Sequence, residues 1–266
     1  MTFRLATWNI NSVRLRIGNV LRFLKEEQPD VLCLQEIKTL ADAFPAKALA
    51  QAGYAHHAIV GQLGYHGVAI VARAPFTRSW SAEICTRGHA RHIAVELSNG
   101  IELHNFYVPA GGDIPDPEQN DKFAHKLEFL NIMTRHFGAM KKKASAPRML
   151  VGDLNIAPFE HDVWSHKQLL DVVSHTPVEV EHLARLRAAH DFEDATRSVV
   201  PASEKIYSWW SYRARDWAAS DRGRRLDHVW LSPALKGTLK SHTIRKEMRG
   251  WTQPSDHVPV LVGLSL

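Results

Sequence analysis

Met149-Leu150-Val151-Gly152-Asp153-Leu154-Asn155 reads as an apolar stretch of strand length that stops at an acid and an amide. The same form recurs outward from it, at Phe3 to Trp8, Val31 to Leu34, Gly67 to Ala72, Ile93 to Leu97, Ile101 to Val108, Leu226 to Leu231 and Val258 to Leu264. Helix-period segments separate some of these runs. Ile17, Val20, Leu21 and Leu24 share one helical face, and Pro29 closes that helix. Phe123, Leu127, Leu130 and Phe137 mark a second helix, which runs into Lys141-Lys142-Lys143, cations suited to a helix C-terminus. A third covers Val178 to Ala189. Other strands pair directly, as at 93–97 and 101–108 around Asn99-Gly100. Strand–helix units mixed with hairpins predict an α/β protein with mixed sheets rather than a purely parallel doubly wound one.

The 266 residues are 45% hydrophobic and 23% charged, ordinary for a globular protein and enough to bury a core without disulfides or structural metal. No Gly/Ser linker, low-complexity segment or charge block divides them, so residues 1–266 are expected to form a single domain. Cys33 and Cys85 each lie in an apolar stretch and read as free core thiols of a reducing compartment. The N-terminus reads as a strand rather than a signal peptide, and no apolar run approaches a membrane span, so a cytoplasmic location is expected. The net charge of +5 favours polyanionic partners. Arg213, Arg215, Arg222, Arg224 and Arg225 crowd one stretch with Trp209, Trp210, Tyr212 and Trp217 among them. Such a stretch offers cations for phosphate contact beside rings for stacking or wedging.

Five polar clusters stand where apolar runs begin or end: Trp8-Asn9-Ile10-Asn11, Leu34-Gln35-Glu36-Ile37-Lys38, Gly152-Asp153-Leu154-Asn155, Arg225-Leu226-Asp227-His228 and Ser255-Asp256-His257-Val258-Pro259. Singly, each reads as turn chemistry. Five from distant parts of the chain point to convergence at strand ends, where an α/β scaffold builds sites. Converged, they supply the carboxylates of Glu36, Asp153, Asp227 and Asp256, the amides of Asn9, Asn11 and Asn155, and the His257 imidazole. Oxygen donors of this kind suit a hard cation such as Mg²⁺, which keeps positions for water and phosphate. Zinc would want three or four His or Cys ligands at short spacings. The sixteen histidines, His56-His57 and His161 with His166 among them, form no His-Glu-x-x-His, and no Cys-x-x-Cys accompanies them. Structural or surface roles are expected for them.

In this order the clusters resemble the endonuclease/exonuclease/phosphatase superfamily, and in detail its exonuclease III branch of apurinic/apyrimidinic endonucleases. The resemblance runs from Leu5 to the last strand. It rests on Thr7-Trp8-Asn9-Ile10-Asn11-Ser12-Val13-Arg14, Asp30 to Lys38, Asn105-Phe106-Tyr107-Val108-Pro109, Gly152 to Pro158, Ser208-Trp209-Trp210-Ser211-Tyr212-Arg213, Arg225-Leu226-Asp227 and Ser255 to Pro259. It implies a four-layered α/β sandwich, with two mixed sheets face to face and helices outside. It also implies a Mg²⁺-dependent phosphodiesterase, with Mn²⁺ as a substitute ion, acting as a monomer on double-stranded DNA at abasic sites and 3′ ends, without an obligate protein partner. Residue by residue, Glu36 would be the main metal ligand, with Asn11 near the ion through water and Asp256 and Asp153 as further ligands. Asp153 would orient or deprotonate the attacking water, held by Asn9, and Asn155 would bond water or phosphate. Asp227 and His257 resemble the family's Asp-His pair. Tyr107 would bind phosphate near the leaving group, and it replaces the second catalytic His of the secreted deoxyribonucleases. Arg14, Lys38 and Arg213 would contact DNA, and Trp209 and Leu226 would wall an abasic-sugar pocket.

Three features depart from the pattern. Ala110 stands where familiar members place a DNA-contacting amide, the stretch from Pro158 to Thr176 is shorter than in some members, and the loop from Ala214 to Gly223 is distinctive. Two other readings compete: a superfamily relative acting on a small phosphoester, and a catalytically inactive DNA-binding relative. The arginine–aromatic stretch and Tyr107 count against the first, and the full set of carboxylates counts against the second.

Overall fold

A computed structural model describes residues 2–141 and 146–266, so Lys142 and Lys143 of the predicted helix terminus lie outside the described residues. In chain order the strands are β1 (Thr2–Asn9), β2 (Val31–Gln35), β3 (His56–Val60), β4 (Val68–Ala72), β5 (Phe76–Trp80), β6 (His92–Leu97), β7 (Glu102–Tyr107), β8 (Arg148–Asp153), β9 (Glu193–Asp194), β10 (Trp209–Trp210), β11 (Gly223–Arg224), β12 (Asp227–Leu231), β13 (Leu239–Ile244) and β14 (Val260–Ser265). The helices are α1 (Ile17–Glu27), α2 (Ala46–Gln51), α3 (Asp121–Met140), α4 (His166–Leu169), α5 (Pro177–Ala189) and α6 (Trp217–Ser220). One sheet runs β13-β14-β1-β2-β4-β3 and the other β5-β6-β7-β8-β12-β9, with β10-β11 as a short ribbon. Each large sheet is mixed: β1 and β2 are parallel in the first, β7 and β8 in the second, and the remaining pairs are antiparallel.

Strand alternation explains the four layers. In β1, Leu5 faces the core between the sheets, while Ala6 and Trp8 face outward onto Val20, Phe23 and Leu24 of α1. In the second sheet Leu103, Met149, Val151, Val229 and Leu231 face that same central core, whereas Phe106 and Leu150 pack outward on Phe129, Leu130, Met133 and Phe137 of α3. The period of two then fixes the site. Residues two along from core-facing positions also face inward, which carries Asn9, Tyr107, Asp153 and Asp227 to one end of the seam between the sheets.

A buried polar bridge lies directly below them. Gln35 Nε2 donates across the seam to Asn105 Oδ1 (2.7 Å) and also to Thr7 Oγ1 (2.9 Å). Asn105 Nδ2 donates back to the carbonyls of Leu34 and Ala69 (both 3.0 Å). Gly152 lets β8 approach β7, because its φ is 133° and a Cβ there would meet the Phe106 carbonyl oxygen at 2.0 Å. Among the described residues no helix is long and apolar enough to cross a membrane.

Several histidines are packed as neutral core groups. Burial holds His92 down to about 3 and His228 down to about 4, and it keeps His104 well below the usual imidazole range. The unfolded chain takes up these protons near pH 6.5, while the folded chain resists until far lower. Their contribution to stability is therefore complete above about pH 6.5 and is lost progressively as pH falls toward 3–4. The urea midpoint should drop steadily between about pH 7 and 5. A midpoint unchanged across that range would contradict this account of the histidines.

Candidate active site

The five polar clusters meet at one end of the seam. Asn9, fully buried at the end of β1, donates from Nδ2 to Glu36 Oε1 (2.8 Å) and to Asp153 Oδ2 (2.9 Å), so one amide ties both sheets. Its own Oδ1 accepts the Asn11 backbone N–H (3.1 Å). Asn11 Nδ2 donates to Asp256 Oδ1 (3.0 Å), and Lys38 Nζ reaches both Asn11 Oδ1 (2.5 Å) and Glu36 Oε2 (3.0 Å). The ammonium thus lies where the Glu36 and Asn11 oxygens converge.

Asp153 and Asp227 are direct cross-strand partners on β8 and β12. Two like charges so placed repel, and His257 offsets this. Its Nδ1 lies 2.8 Å from Asp227 Oδ2 and its Nε2 3.6 Å from Asp153 Oδ2. Burial alone would lower the imidazole, but Asp227 and Asp153 outweigh it and raise His257 to about 10. Burial raises Asp153 to about 7, the Asp227 charge adding to this and His257 opposing it. Burial, with the Glu36 and Asp153 carboxylates nearby, keeps the Tyr107 hydroxyl protonated well above its ordinary range. Donor atoms of Asp153, Asp227 and His257 lie within 4.8 Å of one another, close enough for a shared ion. Without an ion, the His257 imidazolium balances the pair of carboxylates.

The loops that carry these groups hold unusual backbone. Asn11 (φ 47°), Ser12 (85°), Glu36 (48°), Lys38 (51°) and Asn155 (54°) are left-handed without being glycine. Such conformations cost about 1 kcal/mol or more each and persist where surrounding bonds over-determine them. Those bonds are present. The Arg16 guanidinium donates to the Asn11 carbonyl, and the Ser12 and Val13 N–H groups donate to the carbonyls of Glu36 (2.7 Å) and Ile37 (3.1 Å). Asn155 donates to the Val108 carbonyl (2.9 Å) and to Asp153 Oδ2 (3.1 Å). Beneath it, the fully buried Lys126 of α3 donates to the Asn155 carbonyl (2.8 Å) and to Glu179 Oε1 (2.5 Å). Glu179 also closes the capping box of α5 with Thr176.

All nine residues expected at the reacting centre, Asn9, Asn11, Glu36, Tyr107, Asp153, Asn155, Asp227, Asp256 and His257, are therefore brought together. Arg14 is exposed on the loop after Asn11, and Lys38 lies at the rim. Trp209 Nε1 donates to Asp256 Oδ2 (3.0 Å), which links the centre to a neighbouring groove of about 640 Å³. Trp164, Trp209, Arg213, Arg222 and Arg224 line it, with the Arg222 and Arg224 guanidinium groups over the Trp164 and Trp209 rings at 4.6 and 5.3 Å.

Leu226 is buried and packs with Trp209. Arg225 is not a surface cation. It is fully buried and paired with Asp162 (2.8 Å) and Asp194 (2.9 Å), acids remote in sequence whose oxygens replace the water that burial removes. Trp210 is likewise core. Ala110 is exposed, and its carbonyl accepts from Lys126 (3.2 Å).

Several supporting residues carried no signal of their own. Ser208 Oγ donates to Asp227 Oδ2 (2.6 Å) and accepts the Leu226 and Asp227 N–H groups (3.0 and 3.1 Å). Ser255 Oγ donates to the Asn9 carbonyl (2.7 Å), and Trp8 Nε1 to the His257 carbonyl (3.0 Å). Arg91 places its guanidinium 4.7 Å from the Tyr107 ring centre. Ser208, Ser255 and Trp8 adjoin site residues in sequence, and adjacency is the cue that could have found them.

Comparison with known proteins agrees with this geometry. The endonuclease/exonuclease/phosphatase family matches residues 6–257. Exodeoxyribonuclease III of Haemophilus influenzae is 29% identical, over 96% of this chain and 97% of that protein. The DNA repair nuclease APEX1 of Danio rerio is 28% identical, over 99% and 82%. Among solved structures, the 3′ phosphatase NExo from Neisseria, bound to a product DNA hairpin, superposes with a TM-score of 0.90 at 30% identity, covering 99% of this chain and 100% of that one. An AP endonuclease from Archaeoglobus fulgidus also gives 0.90, at 28% identity and with the same coverage.

Proposed function

The chain belongs to the endonuclease/exonuclease/phosphatase family, and from that premise we propose that it is a metal-dependent DNA repair nuclease. Its substrate is double-stranded DNA, cut at abasic sites and trimmed at 3′ ends. The observation that carries the reading is the convergence of Glu36, Asn11, Asp153 and Asp256 oxygens beside the His257 imidazolium, next to a groove of arginines and tryptophans.

The donor set fits Mg²⁺, with Mn²⁺ as a substitute. It is all oxygen, and the Lys38 ammonium between Glu36 and Asn11 is a cation those oxygens already accept. Glu36 would hold the ion, with Asn11, Asp256 and Asp153 flanking it. When bound, the metal would neutralise charge on the phosphate oxygens. The chain's own groups do the rest. Asp153, fixed by Asn9 and Asn155, orients the attacking water and takes its proton. The Asp227 carboxylate holds the His257 ring so that the imidazolium donates to a phosphate oxygen. Tyr107 keeps its proton at working pH, so it is a donor near the leaving group. Trp209 supplies the apolar wall for an extruded abasic sugar, which costs less to flip than a stacked nucleotide. The proposal extends to a cytoplasmic monomer without an obligate protein partner, a reading that rests on the sequence.

DNA, rather than a small phosphoester, is favoured by the exposed Arg14, Arg213 and Arg222 around the site and by the net charge of +5. Neutralising about four phosphates would release enough counterions to weaken DNA binding of order a hundredfold between about 50 and 200 mM salt. Fluorescence anisotropy with a labelled duplex measures this directly. A flat salt response would favour the small-phosphoester reading.

A further inference from the structure

A second group of potential ligands lies away from the oxygen-rich centre. Cys85 and His89 come from the loop between β5 and β6, and His125 comes from the N-terminal part of α3. The Cys85 Sγ and one ring nitrogen from each histidine all lie within 4.8 Å of one another. Cys85 Sγ is 3.4 Å from His125 Nε2, and the His89 ring meets that of His125 edge-on, with centroids 5.8 Å apart. On its other side His89 stacks against His66 at 4.1 Å. The cluster borders an open cavity of about 710 Å³ that includes Cys85, Glu83 and His89 in its wall.

From this arrangement we propose that Cys85, His89 and His125 form a second metal site, selective for a soft dication of the zinc class and separate from the Mg²⁺ centre. Zinc sits about 2.3 Å from sulfur and about 2.0–2.1 Å from imidazole nitrogen, which puts tetrahedral donors roughly 3.3–3.7 Å apart. The sulfur–nitrogen spacing of 3.4 Å already matches, and side-chain rotation of about an ångström would close the rest. Three protein ligands leave a fourth position facing the cavity for water.

The ordinary alternative is a thiol–imidazole hydrogen bond between Cys85 and His125. That bond gives no reason for a third donor, and it leaves His89 Nδ1 buried without a partner. The Arg87 and Arg91 guanidinium groups act on both imidazoles and oppose a cation, so the negative charge of a bound Cys85 thiolate is what must offset them. Arg87 is itself engaged by Asp121 at 2.6 Å. The spacing Cys85-x-x-x-His89 passes unnoticed in the sequence because the third ligand comes from a helix far along the chain. An ion there would clip the loop to α3 two residues before Arg91, which packs on Tyr107.

Cobalt(II) tests the site. Metal-stripped full-length protein, held in excess Mg²⁺ to fill the oxygen centre, should develop a thiolate-to-cobalt charge-transfer band and intense tetrahedral visible bands that saturate stoichiometrically. Zn²⁺ should erase them and Mg²⁺ should not. Cys85→Ser should remove the charge-transfer band, and His125→Ala should abolish tetrahedral binding, both with unchanged far-ultraviolet circular dichroism. Independently of any variant, Zn²⁺ should protect Cys85 from alkylation. The proposal is overturned by the absence of a charge-transfer band in the wild type, by its survival in Cys85→Ser, or by alkylation at equal rates with and without Zn²⁺. None of these readouts depends on nuclease activity, so they stand or fall apart from the proposed function.

Discussion

Glu36→Gln is expected to reduce metal-dependent cleavage by about 10²- to 10³-fold, the scale seen when a single electrostatic stabiliser is lost. The substitution removes a full negative charge from the oxygen cluster but hardly changes shape. A glutamine Oε1 can still accept the Asn9 amide that now reaches Glu36 at 2.8 Å, so the link between β1 and β2 survives. The contact with Lys38 loses its ionic character, yet it lies at the partly exposed rim, where such pairs add little stability. The prediction is therefore a variant that folds and binds duplex DNA in chelator like the wild type but turns over poorly in Mg²⁺. Activity within tenfold of wild type at limiting Mg²⁺ would remove Glu36 from the metal cradle.

Asp153→Asn should act differently. Loss of a positioned base costs about 10²- to 10⁴-fold, and here the loss should appear in kcat with KM nearly unchanged. The buried carboxyl is raised to about 7, so wild-type turnover should climb with pH through that region as Asp153 loses its proton. The amide has no proton to lose, and that limb should vanish in the variant. Asparagine keeps one oxygen for the Asn9 and Asn155 side-chain amides and relieves the cross-strand repulsion with Asp227. Its amide nitrogen then faces the Asn155 backbone N–H that Asp153 Oδ1 accepts, a loss of about 1–3 kcal/mol, so a thermal melt accompanies the kinetics. A defect confined to KM would tell against Asp153 as the group that handles water.

The strands legible in the sequence are largely those that run inside the sheets. β1, β2, β4, β7, β8 and β12 are almost wholly apolar or end at a site residue. The strands of the two large sheets that it did not reveal, β3, β5, β9 and β13, all lie at sheet edges. His56–Val60, Phe76–Trp80 and Leu239–Ile244 carry charged or polar residues because one face meets solvent, and so they lack the apolar run that marks a buried strand.

The site shows the same division. Carboxylates at strand ends announce themselves, because an acid directly after an aliphatic run is conspicuous. Gln35 and Ser208 are marked only by standing next to site residues, whereas Lys126 acts through bonds to partners far away in sequence, and nothing local distinguishes it from any other helix lysine. Arg225 misleads for the same reason. Its neighbours in sequence are surface arginines, but its partners in space are Asp162 and Asp194. Cys85, read as a core thiol, is only half-buried on a loop beside His125, whereas Cys33 is fully enclosed and its thiol is pushed far up by burial.

The most direct test of the central claim is incision of a labelled duplex carrying one abasic analogue, run beside the intact duplex and a low-molecular-weight phosphodiester, each with Mg²⁺ or with chelator. With the 3′ ends of the duplexes blocked against trimming, the account predicts a single cut at the abasic position in Mg²⁺, none in chelator, and negligible turnover of the small ester. Hydrolysis of the small ester with the duplex left whole, or incision that persists in chelator, would contradict it.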